Sequence, residues 1–133
     1  MTPRTIERWH LVVAERDAAR AAALLDVLLH DDVVFQSPVV HTPQQGKAIT
    51  TAYLLAAFQV LNNDTFHYEG EWFADQSAVL EFVTVIDGIS INGVDMVQWD
   101  GDGLITSFKV MVRPLKAINL LHQKMGEQLM KHQ

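Results

Sequence analysis

Apolar residues recur at helical spacing through the first half of the chain and alternate with polar ones through most of the second, so the period of the pattern divides the elements. Ile6, Trp9, Val12 and Val13 share one face of a first helix from Ile6 to about Glu15, with Pro3 at its entrance. Asp17 offers a cap to a second helix, Ala18 to about His30, whose Leu24, Leu25, Leu28 and Leu29 form an apolar face and which Asp31-Asp32 closes. Val33-Val34-Phe35 reads as a short strand stopped by Pro38, and Val39-Val40-His41 as a second short piece before the turn-rich segment 42–46. A third helix runs from Lys47 to about Leu61 and ends at Asn62-Asn63-Asp64.

Four strands follow, at about Phe66 to Phe73, Ala78 to Ile86, Val94 to Trp99 and Leu104 to Arg113, and short turns join them into an antiparallel meander. Asp87-Gly88 and Asn92-Gly93 share the second connection, and Asp100-Gly-Asp-Gly103 makes the third. Pro114 cannot donate to a ladder yet suits a first helical turn, so it ends the last strand and opens a closing helix carrying Leu115, Ile118, Leu121, Leu129 and Met130. The sum is an α+β fold: a curved antiparallel sheet wrapped by three N-terminal helices, with one more helix at the C-terminal end. With no repeat or linker, residues 1–133 read as one domain.

Composition narrows the classes. Hydrophobic residues make up 49% and charged ones 20%, which suits a chain with a packed core and excludes a disordered one. Sixteen acidic against ten basic side chains give a net charge of -6, which argues against nucleic acid as a partner. Without cysteine there is no disulfide, thiolate metal site or Cys nucleophile. The first residues lack the apolar stretch of a signal peptide and no segment is apolar for long enough to span a bilayer, so the expected setting is cytoplasmic, away from membranes.

The run Asp-Asp-Val-Val-Phe-Gln-Ser-Pro-Val-Val from Asp31, the Gly46-Lys-Ala-Ile that follows and the Val-Asp-Met-Val-Gln-Trp-Asp-Gly-Asp-Gly-Leu-Ile from Val94 resemble the nuclear transport factor 2-like superfamily. The resemblance covers nearly the whole chain, and within the superfamily it is strongest to the ketosteroid isomerase and SnoaL-type polyketide cyclase branch. It implies a cone-shaped fold around a pocket for a small apolar or polycyclic molecule, a homodimer, and chemistry without a cofactor. Ketosteroid isomerases carry a proton-moving carboxylate just before the Pro-Val; the matching residue is Ser37, a very poor base. Their protonated Asp, which donates a hydrogen bond to the developing oxyanion, is matched by Asp95. The partner Tyr on the first helix corresponds to Trp9, which donates but does not titrate.

Three residues are the catalytic candidates: Asp95, Glu81 and His41. Asp95 shares a strand face with Val97 and Trp99 and is either a buried proton donor in the pocket or a cap on the Asn92-Gly93 turn. Glu81, between Leu80 and Phe82, either shares that pocket or pairs with Lys109 or Arg113. His41 stands close in sequence to Ser37 and is either a replacement base or an idle loop histidine; no nucleophile elbow surrounds Ser37 to make a triad of them. Phe108, Val110 and Val112 alternate as a pocket-lining face, Tyr53 and Phe58 add helix-borne wall, and Trp9, Ser37, Val97 and Trp99 complete the binding set. His10, His30, His67, His122 and His132 lack paired spacing, so no metal site is expected.

Two functions fit these residues. One is a cofactor-independent isomerase, cyclase or dehydratase acting on an apolar carbonyl compound. The other is a dimeric ligand-binding or accessory protein with the same pocket and no chemistry.

Overall fold

A computed structural model describes residues 1–131. Helix α1 (Arg4–Ala14) buries Ile6, Trp9 and Val12, the stripe its spacing predicts, and α2 (Ala18–Leu28) is capped where the Asp17 carboxylate accepts the Arg20 N–H at 3.0 Å. The second helix stops earlier than expected: Leu29 already belongs to strand β1 (Leu29–Gln36). An apolar Leu28-Leu29 step reads the same in a helix as in a strand, which is why pattern alone runs past the boundary. Val39-Val40-His41 forms no strand; the short partner of β1 is β2 (Gln44–Gln45).

Helix α3 (Lys47–Leu61) opens after Gly46, whose φ of 107° is open to glycine at little cost. Then come β3 (His67–Phe73), β4 (Ser77–Ile86), β5 (Ile89–Trp99), β6 (Ile105–Arg113) and α4 (Leu115–Lys131). The six strands lie in the order β2-β1-β6-β5-β4-β3, in an open curved sheet. Pairing within the β3–β6 meander is antiparallel as expected, but β1 runs parallel to β6, so the sheet is mixed.

The β4–β5 turn is Asp87-Gly88, both at positive φ (52° and 76°), the two-residue hairpin geometry that matches strand twist. Asn92-Gly93, read as part of that connection, lies inside β5, which therefore begins five residues sooner than expected. Gly93 is there for space: a Cβ would strike the Phe82 ring and sit 2.8 Å from the Met111 carbonyl oxygen.

One face of the sheet carries Ala78, Leu80, Phe82, Val97 and Phe108 against the helices, and Trp9 meets Phe108 with ring centroids 4.8 Å apart. Helix α4 covers the remaining end of that face, burying Ala117, Leu121 and Met125 while Leu115 and Met130 stay exposed. Among the described residues no helix is long and apolar enough to cross a membrane.

Candidate functional site

Alternation along the strands decides which side chains meet. Leu80 pairs with Asp95 and Asp95 with Val110, so all three point to the helix side of the sheet. There Asp95 is 6% exposed and borders a partly open hollow of about 60 Å³ whose walls are almost wholly apolar. Trp9 and Val13 of α1 and Phe58 of α3 form the helix side, while Phe35 of β1 lies beside Phe108 on the sheet. Tyr68, Phe82, Phe108, Val110 and Val112 of the sheet form the other, and Leu121 and Met125 of α4 close the end.

A short hydrogen-bonded chain crosses this greasy wall. The Trp9 indole N–H donates to the Tyr68 hydroxyl at 2.9 Å, and that hydroxyl donates to Asp95 Oδ2 at 2.6 Å. The other carboxyl oxygen, Oδ1, has no protein partner among the described residues. Burial disfavours the ionised carboxylate and pushes the Asp95 pKa up to about 7, even though the Tyr68 hydrogen bond pulls it back. Burial, followed by the charge of Asp95, holds the Tyr68 phenol well above its ordinary value, so it stays a donor at neutral pH. The site thus pairs a hydroxyl that keeps its proton with a carboxyl that can hold or release one near neutral pH.

Tyr68 escaped the sequence reading, although a signal was there. It alternates with Phe66 between His67 and Glu69, which marks an inward-facing aromatic whose hydroxyl needs a buried partner.

The remaining expected residues divide into two groups. Trp9, Ser37, Phe58, Phe108, Val110 and Val112 border the hollow with Asp95. Ser37 Oγ accepts the Val39 N–H at 3.1 Å and has no carboxylate or imidazole behind it to make it a nucleophile. Tyr53, Val97 and Trp99 do not reach the hollow: Tyr53 packs beside Phe35 at 5.5 Å between centroids, and Val97 and Trp99 are filled into the core further along β5.

Neither of the other catalytic candidates meets Asp95. Glu81 pairs with Val94, one residue out of phase with Asp95, so it projects from the opposite face and accepts a hydrogen bond from Asn92 at 3.0 Å. His41 lies exposed in the loop beyond Val39 and does not border the hollow. The reading of Asp95 as a cap on the Asn92-Gly93 turn also falls, because those residues continue the strand. No cluster of His, Asp and Glu among the described residues has metal-holding geometry; His132 lies outside them.

An open curved sheet wrapped by helices, with one acid sunk in an apolar hollow, defines a cone-shaped α+β pocket fold. The crystal structure of a steroid delta-isomerase from Pseudomonas aeruginosa superposes on it with a TM-score of 0.86 at 34% identity, covering 96% of this chain and 90% of that one. A protein of cystatin-like fold from Silicibacter pomeroyi, uncharacterized and conserved in bacteria, gives 0.85 at 30% identity over 96% and 86% of the two chains. The chain belongs to the nuclear transport factor 2-like superfamily, with the steroid delta-isomerase among its relatives. A de novo designed protein with a curved β-sheet also matches, at a TM-score of 0.69 and 12% identity over 92% and 98% of the chains, so likeness at that level carries the fold and no chemistry. No family model and no curated protein matches the sequence.

Proposed function

We propose that this chain is a cofactor-independent acid–base enzyme of the isomerase, cyclase or dehydratase type, acting on a small apolar carbonyl compound held against Asp95. The observation that carries the reading is one carboxyl, poised near neutral pH, as the sole carboxyl among the described residues that lines an apolar hollow. In the neutral form Asp95 donates through Oδ1 to the carbonyl oxygen and polarises it. Giving that proton to the oxygen leaves a carboxylate, which then takes a proton from the neighbouring carbon. The ketone has become its enol and Asp95 is protonated again.

With Glu81 and His41 directed elsewhere, both proton transfers fall to Asp95. A hollow of about 60 Å³ is well below the roughly 300 Å³ at which drug-sized ligand pockets begin. A single small ring is therefore the ligand this closed form approaches, and a polycyclic one requires Leu121 and Met125 to move aside. The steroid delta-isomerase relative supports carbonyl chemistry in this chain at 34% identity, while Ser37 argues for a different division of roles.

Ser37 also favours the second reading, a binding or accessory protein without turnover. Exchange of the α-hydrogens of cyclopentanone in D₂O, followed by NMR, separates the two. The enzyme reading expects exchange above the buffer rate that Asp95→Asn abolishes. Binding seen as a thermal upshift, with exchange at the buffer rate, leaves the accessory protein.

The same reading makes the chain a cytoplasmic homodimer joined through the outer sheet face. Met111 is 52% exposed there and Met96 is half-buried beside it, which supports an apolar contact. Light scattering tests it, and a monomer at high concentration rules it out.

A further inference from the structure

Hydrogen bonds have a direction, and in the chain Trp9–Tyr68–Asp95 the direction is fixed at one end. An indole N–H only donates. The Tyr68 oxygen is therefore the acceptor toward Trp9, at 2.9 Å, and its single proton is spent on Asp95 Oδ2, at 2.6 Å. Oδ2 faces a donor and is an acceptor in that bond. When Asp95 is neutral, a proton on Oδ2 would confront the Tyr68 proton, so it sits on Oδ1. That oxygen has no hydrogen-bond partner among the described residues, and its residue borders the hollow.

We propose that Trp9, acting through Tyr68, is a positioning residue that holds the Asp95 proton on the oxygen facing the hollow, so the site selects ligands whose polar atom is a hydrogen-bond acceptor. Once Asp95 ionises, the same oxygen becomes an acceptor and the selection inverts toward donors. This rests on Asp95 being the group that meets the ligand, the reading given above.

Apart from Tyr68, whose phenol keeps its proton, no titratable group among the described residues lines the hollow with Asp95. Its cross-strand neighbours are Leu80 on β4 and Val110 on β6. To the hollow α3 brings Leu54, Ala57, Phe58 and Leu61, and α4 brings Leu121 and Met125. On the far side of Tyr68, Glu71 of β3 is already engaged with His10 of α1. The inversion therefore belongs to Asp95.

Two probes of one ring size test this: cyclopentanone, which only accepts, and pyrrole, whose N–H only donates. In the native protein at pH 5.5 cyclopentanone is expected to bind about tenfold tighter than pyrrole, the worth of one made against one unmade hydrogen bond. At pH 8.5 the order reverses. Trp9→Phe frees the Tyr68 hydroxyl to turn and accept from Oδ2, so the preference at pH 5.5 falls to about threefold or less. Tyr68→Phe offers Oδ2 no acceptor, keeps the preference, and carries it to higher pH because the anion has lost a hydrogen bond. A packing role alone would leave both ratios unchanged, since the probes match in size.

Without any ligand, the Trp9 indole N–H resonance, assigned by its loss in Trp9→Phe, is expected to titrate with Asp95 and to lose most of that response in Tyr68→Phe. If neither probe binds the native protein, the pocket reading fails and the indole titration decides this inference. If both bind with a ratio that ignores pH, or if Trp9→Phe keeps the native ratio, the inference is wrong while the pocket stands.

Discussion

Replacing Asp95 by Asn should change how stability depends on pH, and the size of the effect follows from burial. In the unfolded chain the carboxyl titrates near its ordinary 3.8; in the folded protein it titrates near 7. The folded state therefore holds this proton more tightly than the unfolded one, so the stability this group contributes is greatest below pH 3.8 and declines as pH rises. The loss is complete above pH 7. A rise from 3.8 to about 7 corresponds to about 4 kcal/mol, at 1.36 kcal/mol for each unit. Asparagine keeps the shape and accepts the Tyr68 proton but does not ionise.

Its amide introduces a donor toward the apolar hollow, an offset of about 1–3 kcal/mol that is the same at every pH. Urea melts of both proteins at intervals from pH 4 to pH 8 remove that offset, because every other titrating group is common to the two. The variant should gain about 4 kcal/mol on the native protein between pH 4 and pH 8, most of it before pH 7. A difference that stays constant across that range refutes the reasoning, since it means that the carboxyl titrates alike in the folded and unfolded states.

Two further substitutions probe the structure that holds the acid. Gly93→Ala drives a methyl into the Phe82 ring and the Met111 carbonyl, and the latter is backbone, so β5 and β6 must part; thermal or urea melts should show a loss of about 1–3 kcal/mol, and an unchanged midpoint denies the close approach. Leu121→Ala should cost about 2–5 kcal/mol because Leu121 is 3% exposed and packs on Phe82, yet it should also open the hollow, raising the affinity for bulkier cyclic ketones over cyclopentanone in a thermal-shift series. Equal affinities for all ring sizes would show that α4 does not set the limit.

Much of the fold was legible in the sequence because its patterns are long. Gly46 before α3 and Asn62-Asn63 after it mark both ends of a fifteen-residue apolar run, and the strict alternation of β4 marks it as a strand. Gln44-Gln45 is strand only because Val34 and Phe35 lie beside it, and two polar residues hold no such information. The site was harder because it depends on register. Asp87-Gly88 as a two-residue turn pairs Ile86 with Ile89, and counting outward brings Leu80 opposite Asp95 and Glu81 opposite Val94. Had Asn92-Gly93 not competed for that turn, the same count would have excluded Glu81. His41 looked useful through nearness to Ser37 along the chain, but two loop residues beyond Val39 carry it out to solvent. Tyr68 is legible only as an aromatic with a hydroxyl, and its partner becomes evident once β3 lies beside β4 and α1 crosses them.

Everything proposed for this chain depends on a carboxyl kept neutral by an apolar enclosure, and carbon-13 NMR titration of Asp95, assigned through Asp95→Asn, measures it directly. The account expects a midpoint near pH 7 that rises further in Tyr68→Phe. A midpoint at or below about 4, the ordinary range for an exposed aspartate, contradicts it.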